Sequence, residues 1–249
     1  MTNDVVSAAM LAIGDELLSG RTKDKNIGHL ADILTAVGID LKEVRIVPDE
    51  EDRIVDALNA LRPNYDYVFT SGGIGPTHDD ITADAISKAF GVPCEHDAKA
   101  MKLMGDAYTA RGMEFTESRQ RMARMPRGSI HIDNPVSTAP GFNIGNVYVM
   151  AGVPSIFQAM LDNVIPTLKV GKQLLSRSVN CPFGEGTIAI PLRDIQAAFP
   201  ETIIGSYPKY ENNKFSTELV IRARDEEKLA AAEQAVKAMV ENLSATKQI

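Results

Sequence analysis

The chain has 249 residues, 44% hydrophobic and 24% charged, with 26 lysines and arginines against 33 aspartates and glutamates. A net charge of −7 argues against bulk attraction to nucleic acid or to an anionic membrane. No apolar run reaches the roughly 18–20 residues that span a bilayer. The acidic start Met1-Thr2-Asn3-Asp4 has no basic signal region, and Cys94 and Cys181 alone make neither a disulfide framework nor a zinc site, so a reduced cytoplasmic protein is expected.

In chain order, Ala8 to Ile13 reads as a buried strand ending in Gly14-Asp15-Glu16. A helix is expected from about Asn26, with Ile27, Leu30, Leu34 and Val37 on one face and Gly38 as its stop. Val44 and Ile46 suggest a second strand. The acids Asp49 to Asp52 read as the exposed start of a helix that buries Ile54, Val55, Leu58 and Leu61. Tyr65 to Ser71 is a third strand, running into the loop Gly72-Gly73-Ile74-Gly75-Pro76-Thr77-His78-Asp79-Asp80, with a helix from Thr82. The stretch Ala98 to Met125 reads as helical but interrupted at Gly105 and Gly112. Val147 to Ala151 is a strand, followed by Gly152-Val153-Pro154 and a helix to about Leu168.

After Gly171 the pattern changes to a strand near Ser178, a turn at Gly184 and Gly186, a helix over Leu192 to Phe199 and two strands. A closing helix, roughly Asp225 to Leu243, carries Leu229, Ala232, Val236, Met239, Val240 and Leu243 on one face. The expected fold class is therefore α/β, with a doubly wound, mostly parallel sheet over residues 1–170, followed by a small α+β domain over 171–249.

In an open parallel sheet, ligands bind beyond the carboxyl ends of the strands. Three glycine-bearing loops fall at such ends here. Gly72, Gly73 and Gly75 allow positive φ and close approach to a ligand, and inward-facing amides before a helix start suit phosphate oxygens. Asp15 and Glu16 after the first strand, with Asp79 and Asp80 after the third, would share that rim. Carboxylates beside a phosphate need a cation, and oxygen ligands with few histidines suit Mg²⁺ or Mn²⁺. Other readings compete: Asp79 or Asp80 can simply start a helix, and Thr82 and Asn26 can serve as helix caps. Lys23 and Lys25 stand near the ligand's charge or in solvent, and His78 is a base or a surface residue. The glycine loop lacks the Gly-Lys-Ser/Thr ending of a P-loop, and neither a Gly-x-Gly-x-x-Gly turn nor a Gly-x-Ser-x-Gly elbow occurs.

Taken together, Ala12-Ile13-Gly14-Asp15-Glu16-Leu17-Leu18-Ser19-Gly20, with Asp24 and Asn26, resembles the opening of the CinA family's N-terminal domain. Thr70 to Thr82 resembles that family's central signature. Asn134, Thr138-Ala139-Pro140-Gly141-Phe142 and Gly152-Val153-Pro154 match its later landmarks in order. The superfamily is the molybdopterin-binding domain, shared with molybdenum-cofactor enzymes and with part of eukaryotic FAD synthase.

The resemblance implies a doubly wound domain that binds a phosphorylated pterin or nucleotide. Asp15, Asp79 and Asp80 are implied as metal-holding and catalytic residues. Gly14, Glu16, Asn26, Ser71, Gly72, Gly73, Gly75, Thr82, Pro140, Gly141 and Gly152 are implied around the substrate. It further implies metal-dependent cleavage of the diphosphate of ADP-ribose-like nucleotides or FAD, with molybdopterin binding, adenylyl transfer or binding without chemistry as the alternative. A KH-like second domain and a homo-oligomer are also implied. The sequence departs from the family at Pro154-Ser155, where proline-glutamate is usual, and at Ser137-Thr138, where glycine-threonine is common. It also lacks the C-terminal amidase of longer CinA proteins, so deamidation of nicotinamide mononucleotide does not carry over. From Gly171 onward ten basic residues face ten acids and no Gly-x-x-Gly clamp occurs, so no nucleic-acid partner is expected.

Overall fold

A computed structural model describes residues 5–211 and 214–246. The chain divides into two compact units, the first ending at Gly171 and the second beginning at Lys172.

The first unit begins β1 (Val6–Ile13), α1 (Asp15–Leu18), α2 (Asn26–Ala36), β2 (Ile39–Val47), α3 (Glu51–Leu61) and β3 (Tyr67–Ser71). It continues α4 (Thr82–Phe90), β4 (Cys94–His96), α5 (Ala98–Ala110), α6 (Glu117–Gln120) and β5 (Arg124–Pro126). Then come β6 (Ile130–Ile132), β7 (Gly141–Ile144), β8 (Val147–Met150) and α7 (Pro154–Val164). Six strands form one sheet in the order β2-β1-β3-β8-β7-β6. The first four run parallel, while β7 runs antiparallel to both of its neighbours, β8 and the edge strand β6.

The period-2 alternation of β1 explains why helices cover both faces. Ala9, Leu11 and Ile13 pack with Ile54, Leu58 and Leu61 of α3, Ile86 of α4 and Met104 of α5. Ala8 and Met10 point the other way, into Leu30 and Leu34 of α2 and Phe157, Met160 and Leu161 of α7. Each fully buried leucine, isoleucine or phenylalanine contributes about 1.5–3 kcal/mol of transfer free energy, so both layers are needed to hold β1 between them. In β2, Val44 and Ile46 remain exposed, because β2 is the edge strand.

The stretch 98–125 differs from expectation. Helix α5 runs through Gly105 without interruption, and the Phe115 ring packs against that turn, 3.6 Å from where a Cβ at the glycine would lie. The chain then breaks at Gly112, whose φ is 65°, and ends in β5. Strands β6 and β7 also escaped the sequence pattern; at three and four residues they are too short to display alternation.

The second unit is β9 (Leu175–Cys181), α8 (Glu185–Ala198), β10 (Ile203–Glu211), β11 (Lys214–Ala223) and α9 (Glu226–Thr246). Its antiparallel sheet has the order β10-β11-β9. Leu219, Ile221 and Val179 from the sheet pack against Ile188, Leu229, Ala232 and Val236 from the helices. Helix α8 starts earlier than expected: Gly184 is its N-terminal cap position and Gly186 lies in its first turn rather than in a separate turn. Among the described residues, no helix is long and apolar enough to cross a membrane.

Candidate functional site

The chain leaves β1, passes through α2 to β2 on one side, then returns through α3 to β3 on the other. The strand order therefore reverses between β1 and β3, and the crevice beyond their carboxyl ends is where ligands of such sheets bind. A cleft of about 520 Å³ lies there. Its lining includes Gly14 and Glu16 after β1, Asp49 after β2, Gly72 to Pro76, Asp79 and Asp80 after β3, and Ala151 to Pro154 after β8.

The glycine loop approaches β1 so closely that a side chain at Gly72 is impossible without displacement. A Cβ there would lie 2.1 Å from the Ile13 carbonyl oxygen, and Gly72 and Gly73 have φ of 109° and 67°. Among the described residues, the amides of Gly73, Ile74 and Gly75 take no backbone partner, and all three residues line the cleft. Consecutive free amides in such a turn form a nest for an anion.

Buried uncharged groups brace this loop. The Thr82 hydroxyl, fully buried at the start of α4, donates to the Gly72 carbonyl at 2.9 Å. The Asn26 amide donates to Ser71 Oγ at 2.7 Å and to the Gly152 carbonyl at 2.8 Å. A carbonyl only accepts, which fixes that amide's orientation. Asn26 thus ties the start of α2 to the ends of β3 and β8, while its Oδ1 stays buried without a partner. Asn134 is consumed similarly: it donates to Ser137 Oγ and the Ala139 carbonyl, and accepts from the amides of Val136 and Ser137. This shapes the wall on which Ser137 and Ala139 face the cleft. The following Thr138 takes a φ of 75°, a strained position for a β-branched residue.

The acids are the cleft's charged groups. Glu16, Asp49, Asp79 and Asp80 line it, and among the described residues no lysine, arginine or histidine does. Asp80 is partly spoken for, since its Oδ2 accepts from the Thr77 amide at 2.7 Å and the Thr77 hydroxyl at 2.5 Å. Asp49 accepts from the Asp15 amide at 2.9 Å. Burial pushes the Asp49 carboxyl above the ordinary carboxylate range, the charges of Asp15, Glu16 and Asp79 push the same way, and the Asp15 amide opposes them.

Asp49 corrects the reading of residues 49–52 as an exposed helix start. Glu51 and Asp52 do behave so, both pairing with Lys88 of α4. Asp49 instead turns into the cleft, because Val47 pairs with Ile13 at the end of β2 and Gly14 donates to the Val47 carbonyl. That strand end was the signal available in the sequence. Thr22, Met122, Val153 and Ile156 also line the cleft without having been singled out as site residues.

The remaining expected residues separate by role. Gly14, Glu16, Gly72, Gly73, Gly75, Asp79, Asp80 and Gly152 converge on the cleft, whereas Asp15 is exposed and outside its lining. Asn26, Ser71 and Thr82 are buried behind it as braces. Pro140 lines a neighbouring crevice. Gly141 packs inside β7, where a Cβ would lie 2.3 Å from the Val149 carbonyl, so it serves the sheet.

Among the described residues, no three His, Cys, Asp or Glu side chains close into a preformed metal cage. Asp15, Asp79 and Asp80 therefore do not form the three-carboxylate set expected from the sequence. The donor set still suits Mg²⁺ or Mn²⁺, which keep waters and use one or two carboxylates together with ligand phosphates.

Comparison with known proteins agrees with this fold. A protein of Pyrobaculum arsenaticum is 34% identical over 216 residues, covering 81% of this chain and 80% of that one. A protein of Caldivirga maquilingensis is 37% identical over 177 residues, covering 69% of each. The crystal structure of the CinA protein of Thermoplasma acidophilum, described as of unknown function, superposes with a TM-score of 0.61 at 31% identity, covering 66% of this chain and 99% of that one. Residues 173–248, the second unit, match the family described as "FAD synthase, middle domain". Residues 9–170, which carry the whole cleft, match the family described as "Probable molybdopterin binding domain", and the chain belongs to that family with a CinA-like first domain.

Proposed function

We propose that the cleft binds a phosphorylated small molecule with a pterin-, flavin- or nucleotide-type ring, together with a divalent cation. The observation that carries this reading is the pairing of three free amides, Gly73 to Gly75, with four carboxylates and no basic side chain on the same wall. The amides suit phosphate oxygens, but the carboxylates repel them unless a cation is shared. Asp49 and Asp79, which both line the cleft and whose charges act on each other, are the residues that would hold Mg²⁺ or Mn²⁺, while Asp80 Oδ2 takes both the amide and the hydroxyl of Thr77. Ile13, Ile74, Met122, Val153 and Ile156 offer apolar surface to a ring. The two family descriptions, one of molybdopterin binding and one from FAD synthase, both concern pteridine-related rings carrying phosphate.

A second reading is hydrolysis of a diphosphate, or adenylyl transfer, at the same place. It is favoured by Asp49, a carboxyl on the cleft wall that burial and then the neighbouring carboxylates push above the ordinary range, as is common for acid–base groups. A bound cation would neutralise phosphate charge and polarise phosphorus. The chain's own part is to hold the phosphates on the loop amides and to present carboxylates for a water's proton.

The test is titration calorimetry with FMN, FAD and ADP-ribose in Mg²⁺, Mn²⁺ or EDTA, with mass spectrometry for released AMP. Binding that EDTA weakens by about tenfold or more supports the cation-shared site. Binding unaffected by EDTA, or no binding of any of the three, overturns it. AMP that appears with metal and disappears in Asp49→Asn establishes the hydrolase; binding without AMP leaves a binding protein.

A further inference from the structure

On its outer side, the glycine loop forms one wall of a second cavity of about 480 Å³, lined by His78, His96, Arg121, Arg124 and Glu117 among others. Arg121 and Arg124 also line a small crevice, together with Gly73, Gly75 and Asp80 of the cleft. The two cavities have opposite chemistry. The cleft has four acids and no cation, while its neighbour has two guanidinium groups, two imidazoles and one carboxylate.

Their pairing decides which cation is available. Arg124 is satisfied by a two-pronged bridge to Asp84, at 2.9 and 2.6 Å. Arg121 forms no ion pair among the described residues; it donates once, to the Asp80 carbonyl at 3.2 Å, and its Nε is buried without a partner. A buried, unmatched guanidinium donor is costly unless an acceptor arrives. The planar fork of arginine fits a phosphate or carboxylate in two places at once. His96 stands opposite Arg124 in the β4–β5 register, and His78 projects from the loop in solvent, so both imidazoles flank the same opening.

We infer that this cavity is an anion subsite in which Arg121, flanked by His78 and His96, takes a second phosphate of the ligand whose first phosphate sits on the loop amides. The placement of that second phosphate rests on the function proposed above; the anion site itself does not. Glu117 opposes the anion, which gives the site a built-in sign test.

Pyrophosphate is the probe, titrated calorimetrically in EDTA at low salt, so that the cation-dependent cleft is silent. Wild type binds it; Arg121→Gln weakens it by about tenfold or more. His96→Ala, at an exposed position, weakens it severalfold, and Glu117→Gln, also exposed, tightens it. Circular dichroism establishes that each variant is folded. No binding to wild type in EDTA, or equal binding by Arg121→Gln and His96→Ala, overturns the subsite. With Mg²⁺ present, ADP should bind more tightly than AMP, and Arg121→Gln should erase that difference. An unchanged ADP preference in Arg121→Gln overturns the shared ligand while pyrophosphate binding keeps the anion site. Loss of both nucleotides in wild type, with pyrophosphate still bound, refutes the proposed cleft function alone.

Discussion

Gly72→Ala is the sharpest test of how the site is built. A Cβ at this position would lie 2.1 Å from the Ile13 carbonyl oxygen, where ordinary contact begins near 3.4 Å. The obstacle is backbone at the end of a buried strand, so it cannot swing aside, and β1 and the loop must part by more than an ångström. Forced overpacking of this kind costs about 1–3 kcal/mol. Holding an alanine at a φ of 109° adds about 1–3 kcal/mol more. The sum, about 2–6 kcal/mol, corresponds to a fall of about 5–20 °C in the melting of the first unit. Gly28→Ala is the control. It lies in α2, has nothing within 4 Å of its added Cβ, and should stabilise by about 0.5–1 kcal/mol through helix propensity. Calorimetric scans of the two variants should therefore move in opposite directions. A Gly72→Ala melting point within about 2 °C of wild type would refute the close approach of loop and strand.

Other predictions concern the polar groups. Asn26→Ala removes two donor bonds and strands Ser71 Oγ and the Gly152 carbonyl, so it should cost about 2–4 kcal/mol in denaturant unfolding. Asn26→Asp should be worse, since it sets a buried carboxylate against the Gly152 carbonyl, which can only accept, even though the Ser71 hydroxyl can turn to donate. Near-wild-type stability of either variant would contradict the bracing role. Asp49→Asn keeps the acceptor for the Asp15 amide but removes a charge that burial and neighbouring acids disfavour. Because the folded-state pKa of Asp49 is raised, the folded protein binds the proton more tightly than the unfolded chain does. In EDTA, Asp49→Asn should thus be the more stable form above that raised pKa, and its advantage should vanish as pH falls to the ordinary carboxylate value. An advantage that grows on acidification would reverse the assignment. Added Mg²⁺ should raise the melting temperature of wild type in the presence of ligand and leave Asp49→Asn unmoved.

Legibility in the sequence followed the length and period of each signal. Strand β1 could be read because both of its faces are buried, giving an unbroken apolar run, and α2 and α3 because their stripes repeat over eleven residues. The return of the sheet through β6 and β7 could not, as three or four residues carry no period. At the site, the glycine loop announced itself through residues that only a positive φ or a close approach explains. Motif matching alone did not sort the residues that face the cleft from those that hold it together. Asn26, Ser71 and Thr82 share the motif with Gly73 and Asp79, yet their polar atoms are spent behind the wall. Asp49 stayed hidden because a run of four acids looks alike from end to end, and only the Ile13–Val47 pairing shows that its first member faces inward.

The contrast between those two groups of polar residues bears on why the site exists in this form. Behind the wall, loop geometry is fixed by neutral hydrogen bonds, which stabilise at any ionic strength and tolerate burial. On the wall, Asp79 has only the exposed His78 imidazole, at 3.9 Å, as a counter-ion among the described residues. Glu16, Asp49 and Asp80 have no protein counter-ion among the described residues, and Asp49 is held in surroundings that disfavour its ionised form. A chain shaped for stability alone would pair these carboxylates, as Lys88 pairs with Glu51 and Asp52 a few residues away. Arg121 shows the same tension with the opposite sign, a guanidinium beside the loop with a buried donor left unmatched. Both imbalances lie against one loop, and a cation with a phosphorylated ligand would relieve both together. That single requirement explains why rigid neutral bracing and unneutralised charge meet at the β1–β3 switch point.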